Sequence, residues 1–441
     1  MVLKIRKTKD PVLREPTEKV ADFDHEFQFL VDNMIETMRK NNGVGLAAPQ
    51  VGLSHKMFIC EYEGEEDDKS MAFPLTVVVN PEIVELGKEE VNMVEGCLSF
   101  PGMEILTKRP KTVVISGQDR YGKPLKIEAD GLYSRVLQHE NDHLNATLLI
   151  DHIQETSVMF IGTGDLGAKS LELLAHDSQY KVVLVVTGAD EAIQRRNNVS
   201  TVNPIEAIAN KLKLPLIKTK SINDPKIIDE IKKSNAELGI MADFGQIISE
   251  EVLGLPKYGI INIHPSLLPK YRGPSPIQET ILSGDKEAGV SLILTSQKMD
   301  AGPIISQTVT EISPSETYDT LKELMSEIGA VLLLNSIPYY LAGDLKPIEQ
   351  DESKTTYTIL IKNADAEVSA ETPKEVVERK IRAFSIWPKV FTVINGKRVQ
   401  ILAGYMDEEN NFVITSVKPE GKTEMSYEDF VRGYKTKLTF S

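Results

Sequence analysis

At 441 residues the chain is long enough for about three domains. With 41% apolar and 26% charged residues and no unbroken apolar run of 18, it reads as globular protein rather than a disordered or membrane-spanning one. Net charge is −15: residues 1–155 hold 18 Lys+Arg against 27 Asp+Glu, and the remainder 32 against 38. Neither part grips nucleic acid by broad phosphate neutralisation, so DNA is not an expected partner and any RNA contact must be local.

In chain order, "KMFIC" and "LTVVVN" flank the acidic run Glu61–Ser70, which predicts two strands joined by a solvated loop. "TVVISGQDRYGKPLKIEADG" alternates about Tyr121-Gly122 and predicts a hairpin; "DGLYSRVLQHENDHLN" has helical apolar spacing. Residues 1–155 therefore read as mixed α+β. From Ser157 the texture changes to short continuous apolar runs, "SVMFIGTG", "YKVVLVVTG", "AELGIMADFG" and "GIINIH", with helical stretches between. Buried parallel strands with crossover helices give this pattern, so an α/β, Rossmann-like domain is expected over 156–343. Residues 344–370 are polar and read as a connector. Over 371–441, "TPKEVVERKIRAF" predicts a helix and Asn395-Gly396 a tight hairpin, together a small OB-like β-barrel domain. The two cysteines, Cys60 and Cys97, form no disulfide framework and fit a reducing cytoplasm. The basic start lacks the apolar core of a secretion signal.

His139, Glu140 and His143 spell H-E-x-x-H. On a helix, positions i and i+4 share a face, so both imidazoles reach one cation, with Glu140 beside them to take a proton. A catalytic metal wants about three protein ligands, and two candidates compete for the third place: His152, and Cys97 in "EGCLSFP". The bland reading is a buried thiol and a helix with coincidental histidines. "GVGLAAPQ", Gly43 to Gln50, ends in an amide able to donate to an oxyanion. In order and spacing, "GVGLAAPQ", "EGCLSFP" and "QHENDH" resemble the three motifs of the peptide deformylases, with "DPVLR" near the start. That resemblance covers nearly all of residues 1–153. It implies metal-assisted removal of the formyl group from N-formylmethionyl peptides. Cys97, His139 and His143 would be the ligands, ferrous iron the expected ion and zinc the alternative. Glu140 would be the general base, Gln50 and the Leu98 N–H the oxyanion donors, and Gly45 the peptide-side backbone.

Gly162, Gly164 and Gly167 have the spacing G-x-G-x-x-G, which taken alone suggests a dinucleotide, with Asp190 or Glu191 placed to hold a ribose. Equally, such glycines permit a tight strand-to-helix turn. Downstream, Asn262 and His264 alternate on one strand face at the end of an apolar run, and Asp300 precedes a glycine. An amide, an imidazole and a carboxylate suit acyl transfer through a tetrahedral intermediate. "NIHPSLLPKYRGPSPI" followed by "MDAGPI", with "IRAFSIWPKVFTVINGKRVQIL" near the end, resembles the folate-dependent formyltransferases, in particular the methionyl-tRNA formyltransferases. The resemblance implies 10-formyltetrahydrofolate as formyl donor and no NAD. Ser266, Leu267, Leu268 and Pro269 would form the folate loop. Asn262 and His264 would stabilise the oxyanion, with Asp300 beside the imidazole.

The chain departs from that family's pattern where a basic loop normally engages the acceptor stem. "GADEAIQRRNNVSTVNP" keeps only Arg195 and Arg196, and "ADFG" stands where "AYG" is usual. Lys389 and Arg398, with Lys397, would form a second small basic patch beside Trp387, itself expected in the core. The resulting expectation is a cytoplasmic, bifunctional enzyme of translation initiation, acting on initiator methionyl-tRNA and on N-formylmethionyl nascent peptides near the ribosome surface. The alternatives are that the second half formylates a small amine (an amino sugar or purine precursor), or that both halves are degenerate binding modules.

Overall fold

A computed structural model describes residues 1–189 and 203–441. The expected sites Arg195 and Arg196, and the acids Asp190 and Glu191, lie outside the described residues. The described chain divides into two compact units, Met1–Gln154 with Leu341–Asp344, and Glu155–Tyr340 with Leu345–Ser441.

In the first unit, α1 (His25–Lys40) is capped by Asp24, which accepts from Phe27 N, and buries Phe27, Val31, Met34 and Met38 along one stripe. Strands β1 (Gly45–Ala47), β2 (Met57–Tyr62), β3 (Phe73–Leu86), β4 (Glu90–Cys97), β5 (Phe100–Pro110), β6 (Thr112–Gln118) and β7 (Pro124–Asp130) follow. They form an antiparallel sheet in the order β1-β2-β3-β6-β7 and a separate β4-β5 hairpin. The acidic run is the exposed loop between β2 and β3, and Tyr121-Gly122 lies in the β6-β7 turn. Helix α2 (Gly131–Leu144) packs on both the sheet and β5. Its burial is unusual in kind. Arg135, His139, Glu140 and His143 are all buried, so this helix buries polar groups that need partners. The β4-β5 hairpin supplies them for Arg135, His139 and His143 Nε2.

The second unit continues with β8 (Thr156–Gly162), α3 (Ala168–His176), β9 (Tyr180–Gly188), α4 (Pro204–Lys211), β10 (Leu216–Thr219), α5 (Pro225–Ser234), β11 (Leu238–Ala242), α6 (Glu250–Leu253), β12 (Ile260–His264), α7 (Pro276–Ser283), β13 (Glu287–Leu294), β14 (Ile304–Glu311) and α8 (Tyr318–Ala342). Its sheet runs β10-β9-β8-β11-β12-β13-β14. The first five are mutually parallel, as the continuous apolar texture of β8, β9, β11 and β12 leads one to expect. β13 is antiparallel to both its neighbours, β12 and β14, and returns directly into β14 without a crossover helix. Helix α8 is long and apolar enough by composition to cross a membrane, with mean hydropathy 1.3 over 18 residues, and half of that window is buried inside the structure. It lies on the sheet where Gly329 lets it approach: a Cβ there would be 2.9 Å from Ile263 Cγ2.

The G-x-G-x-x-G glycines are explained by protein contacts. A Cβ on Gly162 would meet the Ala242 carbonyl at 2.8 Å, one on Gly164 would overlap the Asp243 carboxylate, and one on Gly167 would lie 2.9 Å from Ala242 Cβ. The turn is thus packed against the end of β11, with an acid where a pyrophosphate would need to approach.

The small β domain expected at the end is an antiparallel meander, β15 (Phe391–Ile394), β16 (Lys397–Met406), β17 (Phe412–Pro419) and β18 (Met425–Ser426), with α9 (Lys374–Ala383) before it and α10 (Tyr427–Tyr434) after. Asn395 and Gly396 both have positive φ, 49° and 75°, the turn their sequence predicts.

Candidate functional site

Each unit holds one buried polar constellation. In the first, Cys97 ends β4, and α2 presents His139 and His143 one turn apart. The three potential ligand atoms all lie within 4.8 Å of one another. Cys97 Sγ is 3.3 Å from His143 Nε2. His139 is oriented by Glu95, whose Oε2 lies 3.0 Å from Nδ1 and leaves Nε2 for an ion. Of the two candidates for third ligand, Cys97 lies with His139 and His143 in that group, whereas His152 is outside it, its Nε2 pairing with Asp142 Oδ2 at 2.8 Å.

Behind the ligands stands a closed ion network. Arg109 spans Glu95 and Asp142, each at 2.7 Å, and Arg135 reaches Glu95 Oε1 at 2.6 Å and Thr107 Oγ1 at 2.6 Å. Burial works against the Glu95 carboxylate, but bonds from His139 and Arg109 more than offset it and hold its pKa well below the usual range. Glu95 escaped sequence reasoning as a separate residue, although it sits two positions before Cys97 and so shares that strand face. Arg109 and Arg135 gave no motif signal.

Glu140 is 3% exposed, its Oε2 has no hydrogen-bond partner, and burial pushes its carboxyl up to about 7. Its Oε1 lies so close over Gly45 that a Cβ there would be 2.2 Å away. Gly45, expected to admit peptide backbone, is therefore also the residue that admits the Glu140 carboxylate. Gly45→Ala is expected to displace that carboxylate and lower deformylation of formyl-Met-Ala-Ser by about 10²-fold. Bound metal, measured by elemental analysis, should not change. Wild-type turnover by the variant would show that the contact is slack.

Gln50 is aimed by its own turn. Its Oε1 accepts from Ala47 N at 2.8 Å, which directs Nε2 toward Cys97 Sγ and Ser99 Oγ, both 3.4 Å away. Leu98 opens the two-residue turn between β4 and β5, its carbonyl held by Lys7 Nζ at 2.8 Å. One thiol sulfur and two imidazole nitrogens beside an orphaned buried carboxylate oxygen suit a borderline-soft divalent cation.

In the second unit, Asn262 and His264 occupy alternate positions at the end of β12, both buried. Asp300 comes to them on the β13-β14 loop. Its Oδ1 is 3.4 Å from Asn262 Nδ2 and 3.7 Å from His264 Nδ1, and its Oδ2 accepts from Gly273 N at 2.8 Å. The other imidazole nitrogen, Nε2, lies 3.0 Å from the Tyr271 carbonyl. One amide, one imidazole and one carboxylate thus converge, held from behind by residues 271–273.

The loop Ser266–Pro269 is pinned from within. Ser291 Oγ donates to Ser266 O (2.6 Å) and accepts from Leu268 N (3.0 Å), while Gln307 Nε2 donates to Leu268 O (2.9 Å). Ser266 and Leu268 side chains are buried, while Leu267 and Pro269 are half-buried. A cavity of about 620 Å³ borders this loop at Leu267, but its other walls include Lys270, Asp285, Lys286 and Glu311 and none of Asn262, His264 or Asp300. It lies apart from the chemistry.

The C-terminal basic patch differs from expectation. Lys389 Nζ is bonded to the Ser385 carbonyl, and Arg398 stacks 3.6 Å from the Phe391 ring centroid with Nη2 near the carbonyls of Pro388 and Lys389. Both cations are engaged in holding their own loop. Trp387, expected in the core, is 41% exposed, while Phe384 and Val390 on either side of it in the chain are buried.

Residues 2–158 match the family model for polypeptide deformylase, 156–337 that for formyl transferase, and 360–412 that for the formyl transferase C-terminal domain. Methionyl-tRNA formyltransferase of Bacillus velezensis is 34% identical over 302 residues, 63% of this chain and 95% of that protein. That of Roseiflexus castenholzii is 32% identical over 299 residues, again 63% and 95%. Among solved structures, peptide deformylase from Thermotoga maritima is 39% identical, covering 35% of this chain and 99% of that one with a TM-score of 0.32. The Legionella pneumophila enzyme is 38% identical, covering 35% and 87%, also at 0.32. From residue 156 onward the chain belongs to the methionyl-tRNA formyltransferase family, and a polypeptide deformylase domain precedes that portion.

Proposed function

We propose that the chain is a bifunctional enzyme of the N-formylmethionine pathway. Residues 1–155 remove the formyl group from N-formylmethionyl peptides. Residues 156–343, with the connector 344–370 and the C-terminal domain 371–441, transfer formyl from 10-formyltetrahydrofolate to the amine of methionyl-tRNA. One observation carries the hydrolase half: three ligand atoms within 4.8 Å beside a buried carboxylate with a free oxygen. For the transferase half it is Asp300 brought to Asn262 and His264.

In deformylation, Cys97, His139 and His143 would hold a divalent cation, ferrous iron in our reading. Bound there, it supplies Lewis acidity that makes water easier to deprotonate and the formyl carbonyl easier to attack. Glu140 takes the proton from the attacking water and returns it to the departing peptide amine as the C–N bond breaks, releasing formate. Gln50 Nε2 and the Leu98 N–H stabilise the oxyanion, and the Gly45 backbone lies along the peptide. Cys97→Ala is expected to lower bound metal, read by elemental analysis of the purified protein, at least tenfold at equal expression. Undiminished metal would exclude the thiol as ligand.

In transfer, the methionyl amine attacks the formyl carbon of the donor. Asn262 and His264 stabilise the tetrahedral oxyanion. Asp300 faces the imidazole and assists loss of the amine proton as the bond to the folate nitrogen breaks, that nitrogen taking up a proton. Ser266–Pro269 shape the folate side. Arg195 and Arg196, with lesser help from Lys389 and Arg398, contact tRNA. The nascent peptide at the ribosome, in the cytoplasm, is the substrate for the first site. The test is one preparation assayed twice, with formyl-Met-Ala-Ser and with methionyl-tRNA plus 10-formyltetrahydrofolate. Turnover in both supports the proposal; inertness in either, with metal and folate supplied, removes that half.

A further inference from the structure

We propose that Gln350 is a positioning residue for formyl transfer, and that the strap 350–358 beyond the catalytic domain is part of its machinery. This rests on the assignment of Asp300 to the transfer step.

Gln350 is buried, and its amide is fully used. Nε2 donates to the carbonyls of Asp300 at 2.8 Å and Gly302 at 2.7 Å. Oε1 accepts from Arg272 Nε at 3.0 Å and Nη2 at 2.8 Å. These partners fix which end is nitrogen: carbonyls cannot face an amide oxygen, nor a guanidinium an amide nitrogen. One side chain therefore ties the loop bearing Asp300 to the loop behind His264. Arg272, itself 2% exposed, continues to Glu352 at 2.9 Å.

The strap grips the second loop along its length. Arg272 N donates to Thr356 O (2.9 Å), Thr358 N to Arg272 O (2.7 Å), and Tyr271 N to Thr356 Oγ1 (2.8 Å). Within that loop, the Tyr271 carbonyl meets His264 and the Gly273 N–H holds Asp300. Both partners of the imidazole are thus set from the strap. Asp300 also has φ +50°, a region that non-glycine residues seldom hold without help from their surroundings. The two Nε2 bonds hold that residue's own carbonyl and the Gly302 carbonyl just after it, and supply the help.

Gln350→Glu separates positioning from packing. The carboxylate keeps Arg272, and gains charge toward it, but sets an oxygen against the two carbonyls. Gln350→Met loses both carbonyl bonds and leaves Arg272 to Glu352. In the full chain, each is expected to lower single-turnover formyl transfer to methionyl-tRNA by about 10²-fold, with KM for both substrates within about twofold. Deformylation by the same sample should be unchanged. In an Asp300→Ala background, either substitution should add less than about threefold, because it acts through Asp300.

Transfer within a few fold of wild type in either single variant overturns the proposal. So does a full, additive loss in the Asp300→Ala background, and so does loss of near-UV circular dichroism by both variants, which would make Gln350 a stability residue. If Asp300→Ala alone transfers normally, the role given to Asp300 fails instead, whatever Gln350 does.

Discussion

Replacing Glu140 by alanine is expected to lower kcat/KM for formyl-Met-Ala-Ser by about 10³-fold, within the range that loss of a positioned general base produces. Formyl transfer by the same protein should be untouched. Glu140 is placed at a cost: the carboxyl is 3% exposed, Oε2 has no partner, and burial raises it to about 7. A carboxylate held only for stability would be paired, as Glu95 is with Arg109, Arg135 and His139. Removing Glu140 should therefore leave thermal stability equal or higher, whereas removing a buried paired charge costs about 3–5 kcal/mol. Metal content should stay at the wild-type level, since Cys97, His139 and His143 remain. Full activity in Glu140→Ala would end the assignment, and loss of metal together with activity would make the residue a ligand-shell element rather than a base.

How much of this was legible in the sequence depends on what each residue needed nearby. Two corners of the Cys97–His139–His143 triangle were readable because H-E-x-x-H places two imidazoles on one face by helix period alone, the third coming from the family resemblance, and four of the five parallel strands because buried strands are continuously apolar. β10 was not read, since "LIKT" is four residues long with a lysine in it. The glycine turn misleads when read alone: its spacing serves the close approach of Ala242 and Asp243, about 80 residues later, which no local pattern records. The Glu95–Arg109–Arg135 network and the Gln350 bridge are likewise long-range. Their members are 14, 40 and 78 residues apart in pairs, and an arginine in a strand or a glutamine in a polar connector looks like a solvated residue until its partner is known. Polarity suggested a tether over 344–370. In the structure, Gln350, Thr356 and Thr358 spend that polarity on the loops behind His264.

Asp300→Ala is expected to slow single-turnover formyl transfer by about 10²–10³-fold while the affinity for 10-formyltetrahydrofolate changes little. Three distances define what is lost. Oδ1 stands 3.4 Å from Asn262 Nδ2 and 3.7 Å from His264 Nδ1, and Oδ2 is tied to Gly273 N at 2.8 Å. The third contact holds Oδ2, so Oδ1 is the oxygen left beside Asn262 and His264. At 3.7 Å the carboxylate and imidazole are not hydrogen-bonded to each other, so Oδ1 keeps acceptor capacity for the proton of an attacking amine. Alanine removes both the charge opposite the imidazole and the acceptor for that proton, neither of which is needed to bind donor. Asp300→Asn separates the two losses: it can keep the bond to Gly273 N but carries no charge. If asparagine is as slow as alanine, charge is the operative property. If asparagine transfers at the wild-type rate, Asp300 serves only to hold the 273 loop, and proton removal from methionyl-tRNA must be assigned elsewhere.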